Sequence, residues 1–426
     1  MQPISTTEPS NVRPKRGHVL ILSHFRLSVS QTVHMYVGAL APRYEVTVTC
    51  RDAKAAAKSG LPARFVSGEL FTVRDLFRPV YHFLRRWVRR PAPGAPAPTA
   101  SPSAASPRVR TRKGWDYLYL AAYAVRQARL FLKHVWLPRP DCIIALNATE
   151  LWEARWLAAV HRVPYVYIVW EVWPNQHRYY SARRSRTMAL IERIGINRAA
   201  RVVVDEPAWR RFMELRYRIP RNHFVMVSAC SRAIEAPPRP PAGTPMKFYY
   251  HGLFVPGRGV EELVRAMKYV KGARLCLRGF GEYEAELRRM VKDEQLEKTV
   301  EVLPRIEVTE LAPSGLEYDV GIICSIPDGV QGRMVIGFKL FQYLASGLAI
   351  VAPKTRPLRR FLLDHPVGTI YEHTTPEEIG RTIQHCVDHP DLVTQWKREA
   401  KSLAEREYNS VAQGRRLVDM VSTCLS

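Results

Sequence analysis

Apolar residues fall along this chain in short, nearly unbroken runs, and the stretches between them carry helical spacing. His18-Val-Leu-Ile-Leu-Ser23, Glu45 to Cys50, Asp141-Cys-Ile-Ile-Ala-Leu146, Tyr165-Val-Tyr-Ile-Val169 and Arg201-Val-Val-Val204 read as buried strands, and Gln31 to Leu40 as the first helix. Strands alternating with helices predict βαβ units and a parallel sheet. At residues 236–245 the run Ala-Pro-Pro-Arg-Pro-Pro-Ala-Gly-Thr-Pro ends all periodicity, which marks a semi-rigid linker and a domain boundary. The pattern then restarts with strands Lys247–Tyr250, Ala273–Arg278, Thr299–Leu303, Asp319–Cys324 and Leu348–Ala352. Helices Val260–Tyr269, Tyr283–Glu294, Pro376–Asp388 and Asp391–Tyr408 accompany them. The expectation is two doubly wound α/β domains, 17–235 and 246–405, with a cleft at their C-terminal strand edges. Residues 1–16 are expected to be disordered, and 406–426 to form a closing helix whose return to the first domain is one option.

Composition sharpens this only in part. A chain of 426 residues exceeds what one core organises, and 46% hydrophobic with 24% charged residues is globular usage. No apolar run approaches the roughly 18 residues that span a bilayer. Met1 to Arg16 is polar, without the apolar segment of a secretory signal. Seven scattered cysteines, with no Cys-x-x-Cys and no Cys/His ligand spacing, favour neither a disulfide framework nor a zinc site, so the expected location is the reducing cytoplasm. Charge changes the picture more. With 64 Lys and Arg against 39 Asp and Glu, the net charge is +25, a field that attracts nucleic acid, anionic lipid or phosphorylated substrates without choosing among them.

The first domain carries a Pro/Ala-rich insert, 91–110, of low complexity. Before it, Arg74 to Arg90 sets Leu76, Phe77, Val80, Phe83, Leu84, Trp87 and Val88 at helical spacing among six arginines. A basic amphipathic segment of this kind suits an anionic membrane surface, and would make the protein peripheral on the inner face of the cell membrane. The other reading, a helix packed on its own domain with arginines facing water, stays open, since Pro79 interrupts the stretch.

The most informative segment is Phe338-Lys-Leu-Phe-Gln-Tyr-Leu-Ala-Ser-Gly347, a helix ended by glycine ahead of the apolar strand. Lys339 stands in its first turn, where free N–H groups and the helix dipole already attract anions, and Gln342 lies one turn on along the same face. The segment resembles the nucleotide-sugar signature of GT-B glycosyltransferases, close to the family-4 form Lys-Leu-Phe-Glu-Tyr-Met-Ala-Ala-Gly, with Gln342 in place of the ribose-binding Glu. The likeness extends over most of 247–409, including Ala404-Glu-Arg-Glu-Tyr-Asn409, and more weakly over the first domain. It implies two Rossmann-like, doubly wound α/β domains facing a cleft, with a nucleotide-sugar donor in the second and a glycan or lipid-linked acceptor in the first. It also implies chemistry without a metal or other cofactor, and no nucleic-acid partner.

Other loops fit that resemblance unevenly. Tyr249-Tyr-His-Gly252-Leu-Phe-Val-Pro-Gly-Arg258-Gly259 is similar to the family's Gly-Arg-x-x-x-x-Lys-Gly loop, which holds the donor diphosphate. Gly252 and Gly259 match and Arg258 stands for the lysine, while Leu253 replaces the arginine; alone, the loop also reads as a glycine turn. Gly279 and Gly281 resemble a Gly-x-Gly turn that lets backbone approach the nucleotide base, with close strand–helix packing as the competing reading. Ser325 to Arg333 is a glycine-rich loop where the family holds the donor sugar; Asp328 and Arg333 are its polar candidates, and Met334 occupies the position of the family's first Glu. On the acceptor side, Ala145-Leu146-Asn147-Ala148 lacks the family's His, and Trp170-Glu171-Val172-Trp173-Pro174 keeps only Glu171 of a His-Glu pair. Glu171 is therefore expected to face the cleft with a catalytic role alongside Arg258 and Lys339, or else to pair with a nearby arginine. His24 and Ser30 are acceptor-loop candidates.

The resemblance implies retention of anomeric configuration, with inversion left open by the substitutions at Leu146, Leu253, Met334 and Gln342. It points to a sugar-nucleotide transferase of surface polysaccharide or glycolipid assembly. Two alternatives remain: a catalytically degenerate GT-B scaffold that binds nucleotide or glycan, and a polyanion binder.

Overall fold

The computed structural model describes residues 17–23, 26–27, 30–67, 113–173, 182–234, 242–326 and 329–426. His24, Asp328, the segments 1–16 and 74–90, the insert 91–110 and most of the linker lie outside the described residues.

The first domain is a parallel sheet of seven strands in the order β3-β2-β1-β4-β5-β6-β7. Its strands are β1 (His18–Leu22), β2 (Glu45–Cys50), β3 (Arg64–Ser67), β4 (Cys142–Leu146), β5 (Tyr165–Ile168), β6 (Arg201–Val204) and β7 (Phe224–Met226). The apolar runs of the inner strands are unbroken because each feeds two cores. In β1, Val19 and Ile21 point into one cluster while Leu20 and Leu22 point into the other. On one face lies α1 (Gln31–Leu40), preceded in the chain by the loop that leaves β1; α2 (Ala53–Ala56) is a single turn after β2. On the other lie α3 (Lys113–His134), α4 (Ala148–His161), α5 (Ala182–Ile196) and α6 (Pro207–Tyr217).

The second domain holds six parallel strands in the order β10-β9-β8-β11-β12-β13. These are β8 (Met246–Leu253), β9 (Ala273–Phe280), β10 (Val300–Pro304), β11 (Val320–Ile322), β12 (Ala349–Pro353) and β13 (Gly368–Tyr371). Their helices are α7 (Val260–Ala266), α8 (Glu284–Asp293), α9 (Leu311–Ser314), α10 (Gly329–Met334), α11 (Phe338–Ala345), α12 (Arg356–Asp364), α13 (Pro376–Asp388) and α14 (Pro390–Arg406). The last helix, α15 (Ser410–Leu425), lies on α1 of the first domain. There Leu417, Val418, Met420 and Val421 complete the first core, and Gly414 admits close approach, since a Cβ would stand 2.8 Å from that of Ala39.

Three features depart from the sequence reading. β8 and β9 continue past Tyr250 and Arg278 to Leu253 and Phe280, so Gly279 is a strand residue paired with Gly252 and not part of a turn. The stretch after Ser325, read as a flexible loop, becomes helical at Gly329. Helix α12, capped by the Thr355 hydroxyl on the Leu358 N–H, and the edge strands β3, β7 and β13 had no local signal strong enough to mark them.

One buried charge pair fixes α14 to the sheet. The ammonium of Lys397, 1% exposed, lies 2.7 Å from Asp319 Oδ1, and Asp319 Oδ2 accepts from the Lys247 N–H. Removing one member of such a pair strands the other charge. Lys397→Met is therefore expected to cost about 3–5 kcal/mol in urea denaturation, and adding Asp319→Asn to recover much of it.

Candidate functional site

The C-terminal ends of the two sheets face each other, and the sequence-predicted groups collect there. Lys339, in the first turn of α11, folds back over the end of β8. Its Nζ stands 4.4 Å from the centre of the Tyr250 ring and 3.4 Å from the Tyr250 hydroxyl. Gly252 makes this possible: with φ at +150°, a Cβ there would lie 2.9 Å from the lysine's Cε and Nζ. Burial, with the nearby Arg258 charge acting in the same direction, pushes the Lys339 ammonium down to about 8. The site thus sets the half-buried Lys339 ammonium near the exposed Arg258 guanidinium.

Arg258 is exposed on the loop between β8 and α7. The loop is closed by Glu261 Oε1, which accepts from the Gly257 N–H at 3.1 Å, and by Gly259, whose φ of +85° lets it seat beside Cys324, Ser325 and Thr374. The same guanidinium acts on Glu171 across the cleft. Burial raises the Glu171 carboxyl, while a hydrogen bond with Asn147 and the charges of Arg184 and Arg258 oppose that rise. The Arg258 charge therefore acts on both Lys339 and Glu171.

Two residues that sequence reasoning did not single out belong to this surround. Asn147 holds φ at +92°, and its Oδ1 accepts from the Ala148 N–H at 2.7 Å and the Trp173 Nε1–H at 3.1 Å. An asparagine that tolerates positive φ directly before a helix was the available signal. His251 is 3% exposed, between the rings of Tyr249 and Tyr343, and its Nε2 has no hydrogen-bond partner. Burial and the charges of Lys339 and Arg278 hold it well below the usual histidine range, so it stays neutral.

The remaining candidates separate. Gln342 is buried at 4% exposure beneath Lys339 on α11. Gly279 and Gly281 serve backbone packing: a Cβ would fall 2.0 Å from the Gly252 carbonyl in one case and 2.1 Å from the Phe254 carbonyl in the other. The Ser30 hydroxyl caps α1 by accepting from the Val33 N–H. Arg333 is exposed on α10, whose neighbours Val330, Met334 and Val335 pack into the first domain's core. The Trp209 Nε1–H donates to the Met334 carbonyl at 2.8 Å, and the Trp170 ring meets Phe338 edge-on at 6.1 Å. A cavity of about 560 Å³ between α1 and Thr309–Pro313 is lined by none of Arg258, Lys339 and Glu171. Among the described residues, no group of three His, Cys, Asp or Glu is placed to hold a metal ion.

Comparison with known proteins gives the same architecture. The family described as Glycosyl transferase 4-like domain matches residues 29–230, and Glycosyl transferases group 1 matches 232–403. No curated protein matches the chain. Among solved structures, HepE of Anabaena in complex with UDP-glucose superposes with a TM-score of 0.67 at 13% identity, over 96% of this chain and 100% of that one. A sucrose-phosphate synthase from Thermosynechococcus elongatus gives 0.63 at 14%, over 96% and 99%. WaaG, a glycosyltransferase involved in lipopolysaccharide biosynthesis, gives 0.60 at 12%, over 95% and 99%.

Because the tips of β8 and β9 touch through glycine, Gly279→Ala is expected to force them apart. Overpacking of this kind costs about 1–3 kcal/mol, read as a lowered melting temperature. Gly60→Ala makes the control, since its substituent meets nothing within 4 Å and only its positive φ resists the change.

Proposed function

This chain belongs to the GT-B glycosyltransferases of group 1, and from that premise we propose that it moves a sugar from a UDP- or GDP-sugar to a glycan or lipid-linked acceptor. The donor would lie on the second domain and the acceptor on the first. The observation that carries the reading is the placement of Lys339, held down by burial and by the charge of exposed Arg258, at the cleft end of the second sheet. That HepE was solved with UDP and with UDP-glucose favours UDP as the first donor to try.

In the proposed reaction the bond between the anomeric carbon and the diphosphate oxygen breaks, and its electron pair leaves with the diphosphate. Arg258 would take that charge from the loop side and Lys339 from α11, where the helix N-terminus adds its N–H groups. Glu171, held by Asn147 on the opposite wall, would orient the acceptor hydroxyl as its oxygen bonds to the anomeric carbon and its proton passes to the departing diphosphate oxygen. No metal is needed where protein cations already stand at the leaving group. Surface polysaccharide or glycolipid assembly is the proposed setting. The proposed membrane role of Arg74 to Arg90 rests on sequence alone. No helix among the described residues is long and apolar enough to cross a membrane.

A second reading, a nucleotide-binding scaffold without turnover, is favoured by Met334, which gives the position of a sugar-facing carboxylate to packing against the first domain.

Lys339 gains its proton only below about 8, and a bound diphosphate raises that value. UDP binding is therefore expected to take up a proton between about 8 and the raised value. Affinity should hold steady below that window and fall by up to about tenfold per pH unit within it. Calorimetry in buffers of different ionisation enthalpy measures the uptake; Lys339→Met should bind weakly and without pH dependence, and a pH-independent wild type would remove Lys339 from the diphosphate.

Removing one preorganised cation typically lowers turnover by roughly 10²–10³-fold. Arg258→Ala should show that loss in sugar transfer or donor hydrolysis with an unchanged melting temperature, and EDTA should leave wild-type turnover intact. Binding without transfer or hydrolysis across UDP-, GDP-, ADP- and dTDP-sugars would select the scaffold.

A further inference from the structure

The layer of helices α3 to α6 presents a surface that the donor reading does not use. Of the fifteen large apolar side chains exposed among the described residues, nine lie on this layer or just beyond α3. Trp136 is 86% exposed, Leu215 69%, Leu132 60% and Trp156 47%, and Trp152 meets Trp156 edge-on at 5.9 Å. Ordinary surfaces carry such residues singly; a concentration of them marks a contact surface. The opposite face of the same sheet is already covered, by α1 and α15.

Charge narrows the partner. Arg129, Arg162, Arg186, Arg193 and Arg218 are exposed among those apolar groups. The carboxylates of α4 and α5 turn inward, with Glu150, Glu153 and Glu192 buried, and Glu214 on α6 pairs with Arg210. Between α5 and α6 runs a groove of about 760 Å³ lined by Arg186, Arg193, Arg216 and Arg218 together with Leu190 and Leu215, and by no carboxylate. Guanidinium groups recognise phosphate, whereas exposed tryptophan and leucine require an apolar phase beside it. The two requirements meet at the interface of a bilayer with anionic headgroups.

We propose that the outer face of α3 to α6 docks on an anionic lipid bilayer, with headgroup phosphates in the arginine groove and Trp136, Trp152 and Trp156 at the acyl boundary. Helices α4, α5 and α6 start at the cleft end of the sheet. Arg193, Leu215 and Arg218 stand toward their far ends and Trp136 just beyond α3, so the docking face runs down the side of the domain away from the cleft. Its residues are other than Arg74 to Arg90, and its proposal does not depend on the donor chemistry.

The test uses the full chain with phosphatidylcholine vesicles, with or without phosphatidylglycerol, and with acyl chains brominated to quench tryptophan. Wild type should bind only the anionic vesicles, be released by salt, and be quenched. Arg186→Glu/Arg193→Glu/Arg218→Glu should weaken binding tenfold or more, and Trp136→Ser/Trp152→Ser/Trp156→Ser should remove most of the quenching. Both variants should keep the wild-type thermal shift with UDP. Wild-type quenching in the tryptophan variant, as when Trp87 supplies it, would overturn the proposal. So would undiminished binding by the arginine variant, binding of RNA without binding of vesicles, or a solution dimer that the tryptophan variant dissolves. A wild type that ignores UDP yet shows the vesicle pattern would count against the donor reading alone.

Discussion

An ammonium withdrawn from water is costly unless something replaces its hydration, and the cleft is organised around that constraint. Lys339 keeps a ring face and a hydroxyl from Tyr250, and burial, joined by the repulsion of Arg258, is why its proton is loosely held. The arrangement exists only because Gly252 has no side chain and because Gly279 lets β9 close against the Gly252 carbonyl. Close packing of the strand tips thus holds Lys339 over the end of the second sheet, near exposed Arg258. A site preorganised in this way meets a developing anion without rearranging.

The segment around Met334 shows a different compromise. By chain it belongs to the second domain, yet Val330, Met334 and Val335 complete the first domain's core, Trp209 hydrogen-bonds the Met334 carbonyl, and Trp170 packs on Phe338. Because Phe338 opens the helix that carries Lys339, the first domain reaches the surround of Lys339 through adjoining residues. A carboxylate at 334 would be desolvated against that core. The departure from the family pattern therefore has a packing reason, whatever the donor sugar contacts instead. The return of α15 to α1 is a second tie between the halves.

Opposite these cations, Asn147 adopts a conformation uncommon outside glycine and holds both Trp173 and Glu171. Backbone strain retained at such a position is the mark of a surround that over-determines it. The arginine-rich outer layer has another origin: its carboxylates are spent on buried contacts, Glu192 to Tyr167 and Tyr217 among them, which leaves the exposed surface basic and aromatic.

The sequence by itself determined the two doubly wound sheets, because each strand buried on both faces leaves an apolar run and each helix leaves a local period. It also determined the helix carrying Lys339 and Gln342, since glycine stop, cationic first turn and apolar strand are all written within sixteen residues. It did not determine that Gly279 is a strand residue, because glycine in a strand tip and glycine in a turn look alike until Gly252 is seen opposite. Nor did it show that the Ser30 hydroxyl is used by its own helix, that His251 is buried without a partner, or that Met334 belongs to the other domain. The Trp209–Met334 hydrogen bond joins residues 125 apart in the chain. Contacts of that range leave no period and no propensity in the sequence, so only the folded chain decides them.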